Sequence, residues 1–103
     1  MEYSFIYFTC SSKEEAHTIG KTLVERRLVA CVNIFNVSSM FIWKGTLEEA
    51  EEYAAFLKTE KRKVKETIEE VKRLHSYDVP DVVEIPLGEG YEPLFEWISE
   101  VVQ

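Results

Sequence analysis

Hydrophobic positions along the chain change period several times, and each change marks an element. Tyr3-Ser4-Phe5-Ile6-Tyr7-Phe8-Thr9-Cys10 is aromatic and almost wholly apolar, the pattern of a strand buried on both faces and therefore central in a sheet. Ser12 and Glu15 then have the spacing of a capping box. Ala16, Ile19, Gly20, Leu23 and Val24 recur at helical spacing, which predicts a helix from about Lys13 to Leu28. Arg26 and Arg27 fall in its last turn, where cations suit the helix dipole. Ala30-Cys31-Val32-Asn33-Ile34-Phe35 reads as a second strand, prolonged to Trp43 across a polar interruption at Ser38-Ser39. Lys44-Gly45-Thr46 is a turn signal and predicts a hairpin.

The run from Leu47 to Thr59 is ambiguous. Its Glu and Ala content favours helix, and no Gly or Pro separates it from the helical pattern of Val64, Ile68, Val71 and His75. A single helix through all of it is too long for so small a domain. Tyr53, Ala55 and Leu57 alternate onto one face, so the run is read as a strand returning from Gly45. Lys61 to Leu74 is the second helix, broken before Val79-Pro80. Val82 to Leu87 is a further strand, with Pro86 at its end or on an edge. Gly88-Glu89-Gly90 is a loop, and Pro93 opens a short C-terminal helix that carries Leu94, Phe95, Ile98, Val101 and Val102.

The order βαββαβ followed by α predicts an α+β fold: a ferredoxin-like sandwich with an extended hairpin and a C-terminal helix. It forms one domain over residues 1–103. The hairpin arms are longer than such a sheet requires. Met40-Phe41-Ile42-Trp43 near the tip would be an adhesive edge in a monomer, so pairing with another chain is expected.

Composition narrows the function. The 103 residues are 46% hydrophobic and 30% charged, with a formal net charge of −7. That charge disfavours nucleic acid, whose phosphates call for a basic surface, and anionic membrane surfaces likewise. It suits cations, although an acidic excess is also an ordinary means of staying dissolved. No apolar run approaches the roughly 20 residues that span a bilayer, and Met1-Glu2-Tyr3 lacks a basic signal-peptide start, so the expected compartment is the cytoplasm. Cys10 and Cys31 lie far apart in apolar runs, where free cysteine behaves as a small hydrophobe, and Cys31 is expected in the core. His17 is expected on the solvated side of the first helix.

Several motifs then match one family in order. Leu28-Val29-Ala30-Cys31-Val32-Asn33-Ile34 follows the first helix, and Ser39, Trp43 and Gly45 come at matching spacing. Glu52 precedes Leu57-Lys58-Thr59, His75-Ser76-Tyr77-Asp78-Val79-Pro80-Asp81 follows the second helix, and Trp97 lies near the end. Over almost its whole length the chain resembles the CutA family of divalent-cation tolerance proteins. There are departures: Ser76 replaces a usual Pro, Phe41 a frequent Tyr, and Leu74 stands where some members carry a second His. The resemblance implies a cytoplasmic homotrimer, with hairpin strands paired between neighbours, that takes part in tolerance of copper and other divalent metals. The fold is also similar to that of PII signalling proteins, which bind small ligands at subunit clefts. A PII-like ligand-binding trimer is therefore the alternative.

Cys10 and His75 match metal ligands of the family. Thiolate and imidazole suit copper and zinc, although two donors fall short of a closed site, and Cys10 also reads as a plain core residue. The expected cofactor is a divalent metal ion, Cu(2+) foremost, not required for folding. Trp43, Glu52, Lys58, Tyr77 and Asp78 are expected to converge on a ligand cleft. No GxSxG, Walker A, GxGxxG or HExxH pattern is present, and no reaction is expected.

Overall fold

The computed structural model describes residues 1–103. Its elements are β1 (Tyr3–Cys10), α1 (Lys13–Glu25), β2 (Cys31–Trp43), β3 (Thr46–Glu60), a 3-10 turn (Lys61–Lys63), α2 (Val64–Leu74), β4 (Val82–Pro86) and α3 (Glu92–Val101). The strands form one antiparallel sheet in the order β2-β3-β1-β4. β1 is central as expected, and β4, which ends at Pro86, is an edge.

Alternation along β1 and β3 decides where the core lies. Ile6 and Phe8 stand opposite Leu57 and Ala55. Together with Ala16, Ile19 and Leu23 of α1 and Val64 and Val71 of α2 they form the main buried cluster. Gly20 lets α1 approach this face closely, because a Cβ there would lie 2.9 Å from Cγ1 of Val32. The opposite face differs from the expectation for β1. Phe5 and Tyr7 are only half buried and, with Phe35, surround Phe56 at ring-centroid distances of 5.4 Å. No helix of this chain covers that aromatic group. α3 reaches only its end, through a second cluster of Ala30, Phe95, Ile98 and Val102 packed with Tyr3 and Leu87.

Two expectations need correction. The first helix stops at Glu25, not Leu28. Arg27 takes a left-handed φ of 58°, and the amides of Arg27 and Leu28 donate to the carbonyls of Val24 and Leu23. That is a Schellman ending made without glycine, and it turns Leu28 into the core. Arg26 leaves the helix and pairs with Glu70 at 2.7 Å. Cys31 is not a core residue: Val32 faces α1, so Cys31 must face the open side, where it is partly exposed.

The ambiguous run is a strand throughout. Lys44 and Gly45, with φ of 51° and 80°, form a two-residue turn of the type that matches strand twist. β1 pairs only with residues 53–60 of β3, so residues 46–52 pair with β2 alone and project as a two-stranded ribbon. The ribbon helps to stretch the molecule to 44 Å. Near its tip Met40, Ile42 and Leu47 are 73%, 68% and 60% exposed.

Candidate functional site

Cys10 ends β1 and is fully buried in the main cluster. Its Sγ donates to the carbonyl of Ser12 at 3.3 Å. Burial pushes the thiol pKa up, and the carboxylates of Glu15 and Glu52 add to the rise against the hydrogen bonding at Ser12 and Ala16. Burial here disfavours the thiolate, the form that binds metal.

His75 caps the C-terminus of α2, with its side chain sealed from solvent. Nε2 lies 2.7 Å from the carbonyl oxygen of Thr9, which can only accept, so Nε2 carries the proton. Nδ1 accepts the amide hydrogen of Tyr77 at 3.1 Å. Both ring nitrogens are occupied, and no lone pair is left for a metal. Nowhere does the chain gather three or more His, Cys, Asp or Glu side chains able to hold an ion. As arranged in one chain, Cys10 and His75 do not fit a metal. They fit a structural joint that fastens the end of α2 to the end of β1.

Beside that joint lies a cleft of about 740 Å³. Of the five residues expected there, Trp43, Glu52, Tyr77 and Asp78 line it. Lys58 does not. It lies on the open sheet face opposite Cys31, with Nζ 5.8 Å from the ring centre of Phe5.

One wall is the hairpin ribbon, which presents Met40, Phe41 and Trp43; the other is the segment from Tyr77 to Asp81. Tyr77 donates its hydroxyl hydrogen to Oε2 of Glu52 at 2.7 Å and so joins the walls. Burial, followed by this bond and the Glu52 charge, raises the Tyr77 phenol far above its ordinary value. Asp81 and Thr9 complete the floor, held by the Thr9 amide donating to the Asp81 carbonyl at 3.2 Å.

Sequence reasoning missed Asp81, Thr9 and Met40 as lining residues. Met40 lay within a run noted only as adhesive edge, and the Thr9–Asp81 pairing spans 72 residues, a contact that no local pattern signals. The lining holds three carboxylates, from Glu52, Asp78 and Asp81, and no Lys, Arg or His.

The model of the CutA1 divalent ion tolerance protein family matches residues 4–101. The Divalent-cation tolerance protein CutA of Archaeoglobus fulgidus is 45% identical over 101 residues, which is 98% of this chain and 99% of that one. A solved structure of that organism's CutA, described as a periplasmic divalent cation tolerance protein, superimposes with a TM-score of 0.95 at 44% identity, over 98% of this chain and 99% of that one. The divalent cation tolerance protein of Thermus thermophilus gives 0.93 at 37% identity, over 98% and 99%.

Proposed function

The chain belongs to the CutA1 divalent ion tolerance protein family, and from that premise we propose that it works as a cytoplasmic homotrimer that binds divalent cations, copper among them, in the acidic cleft. A role in tolerance of divalent ions comes with the family, whose name denotes tolerance and not a reaction. The cleft carries the finer reading, because its lining has three carboxylates and no basic side chain. Such a surface concentrates cations, and the thioether of Met40 adds a soft donor suited to copper. One chain assembles too few converging donors for a closed site, so neighbouring copies or water would complete the coordination.

Three features support self-association. The projecting ribbon is two-stranded, a form of marginal stability alone. Its tip exposes Met40, Ile42 and Leu47. The aromatic face around Phe56 has no cover within the chain. The free thiols of Cys10 and Cys31 suit a reducing compartment.

Calorimetric titration of copper into the reduced protein tests the reading. The Asp78→Asn/Asp81→Asn variant should lose binding, and Cys10→Ala/His75→Ala, if folded, should retain it. The opposite result would return the site to Cys10 and His75. Equal binding by all three proteins would place copper at neither pair of residues and overturn the cleft reading.

A further inference from the structure

The open face of the sheet is apolar and carries one unmatched charge. Phe5, Tyr7, Phe35 and Phe56 form its centre. Val83 and Ile85, which stand opposite Tyr7 and Phe5, extend it at 49% and 39% exposure. Lys58 rises among them, with Nζ 5.8 Å from the ring centre of Phe5. No Asp or Glu of the chain forms an ion pair with it. The two carboxylates that share its side of β3 are already engaged, Glu52 by the hydroxyl of Tyr77 and Glu60 by Arg62 and Ser99. While water reaches the face, an unpaired ammonium costs little. Once a neighbouring copy covers the aromatic group, the ammonium loses water and needs an anion, and that anion has to come from the covering surface.

The ribbon has the matching composition. Met40 pairs with Glu49 and Ile42 with Leu47 across its two strands, so these four side chains share one ribbon face. Met40, Ile42 and Leu47 are the most exposed large hydrophobics of the ribbon. Glu49 stands among them, exposed, and its carboxylate has no hydrogen bond or ion pair within the chain. Glu51 on the same face accepts the Ser38 hydroxyl, and Glu48 points to the opposite ribbon face with Phe41. An apolar strip with one free carboxylate thus complements an apolar sheet face with one free ammonium. The two cannot meet within a chain, because Glu49 and Lys58 are nine residues apart on one strand, about 30 Å at roughly 3.3 Å per residue. We propose that the ribbon of one copy lies on the open sheet face of its neighbour, with Glu49 paired to the neighbour's Lys58, and that this ion pair fixes the register of the contact. A single polar pairing sets alignment where apolar surfaces alone would slide. The proposal rests on self-association of the chain and adds which surfaces meet and in what register.

Light scattering over a dilution series tests it on wild type, Glu49→Lys, Lys58→Glu and the double reversal Lys58→Glu/Glu49→Lys. Wild type should be oligomeric. Each single reversal sets like charges against each other and should raise the concentration at which the oligomer dissociates by about tenfold or more. The double reversal restores an opposite pair and should recover most of that loss. Glu49 is exposed in the chain, so Glu49→Lys keeps the test open if Lys58→Glu misfolds. Dissociation at the same concentration in wild type and both single variants overturns the pairing and leaves self-association standing. Dissociation promoted by Lys58→Glu but not by Glu49→Lys also overturns it, as does a double reversal no more stable than the single variants. A wild type that is monomeric at every concentration overturns self-association itself, and the proposal with it.

Discussion

Tyr77 and Glu52 share a hydrogen bond of 2.7 Å that ties the segment after α2 to β3, at the point where β3 leaves β1 and becomes the ribbon. The bond fixes one wall of the cleft against the other. Tyr77→Phe removes it and leaves Oε2 of a buried carboxylate without a donor. The expected loss is about 1–3 kcal/mol of folding stability, the usual penalty for such a group. Urea unfolding of the two proteins measures it. Equal midpoints and slopes would mean that water replaces the hydroxyl without loss.

The same pair predicts behaviour in alkali. In the unfolded chain the Tyr77 phenol ionises near its ordinary value of 10.0. In the folded chain burial and the Glu52 carboxylate hold its pKa well above that, and burial with the charges of Asp81 and Glu52 raises Tyr7 in the same direction. Between the two values the folded state binds more protons, so stability must fall as pH rises. The stabilising contribution is complete below the ordinary phenol value and is lost as pH climbs through the folded one. Wild type should therefore lose stability above about pH 10 more steeply than Tyr77→Phe. Parallel slopes would show that Tyr77 has no part in the effect.

In acid the sign reverses at Glu15. Burial acts to raise its pKa, but hydrogen bonds from the amide and hydroxyl of Ser76, with a further one from the hydroxyl of Ser11, bring it below the ordinary 4.5. The unfolded state then binds more protons through this window, so stability is present above the ordinary value and lost as pH falls through the folded one. Glu15→Gln should flatten the acid limb of a stability-against-pH curve. An unchanged limb would locate the acid sensitivity elsewhere.

Glu15 also shows how far local pattern reaches. The capping-box spacing places the start of α1 correctly, and Ser12 Oγ accepts the Glu15 amide at 3.1 Å. The reciprocal half of the box does not form, because the Glu15 carboxylate accepts from Ser76, 61 residues away. The strand from Thr46 to Glu60 was legible for a similar local reason: Tyr53, Ala55 and Leu57 share a face whatever the helix propensity of their neighbours. Left-handed Arg27 was not legible, since nothing in an arginine signals it.

The cleft was half legible. Trp43, Glu52, Tyr77 and Asp78 meet there, whereas Lys58 shares a strand with Glu52 but lies six residues further along and outside the cleft. That separation depends on where β1 stops pairing with β3, which is a matter of tertiary register. The engagement of both His75 nitrogens was hidden for the same reason, because Thr9 meets His75 only in the folded chain.

At the far end of the sheet a second polar chain fastens α3. Ser99 has one hydroxyl hydrogen and gives it to Oε2 of Glu60 at 2.7 Å. The 2.6 Å contact between Tyr3 and Ser99 must therefore be a donation from the tyrosine. The order of donation is Tyr3 to Ser99 to Glu60, with Arg62 closing the other carboxylate oxygen. Ser99→Ala leaves both the Tyr3 hydroxyl and a buried carboxylate oxygen without their partner, at a loss of about 1–3 kcal/mol. The effect should be local, because α3 packs in the small cluster around Phe95 and Ile98 while α1 and α2 pack in the large one. Hydrogen exchange in Ser99→Ala should accelerate across Glu92–Val101 and leave the α1 amides near their wild-type rates. Equal acceleration in both helices would mean that the sheet loosens as one unit and that the Tyr3–Ser99–Glu60 chain is not a separate fastening.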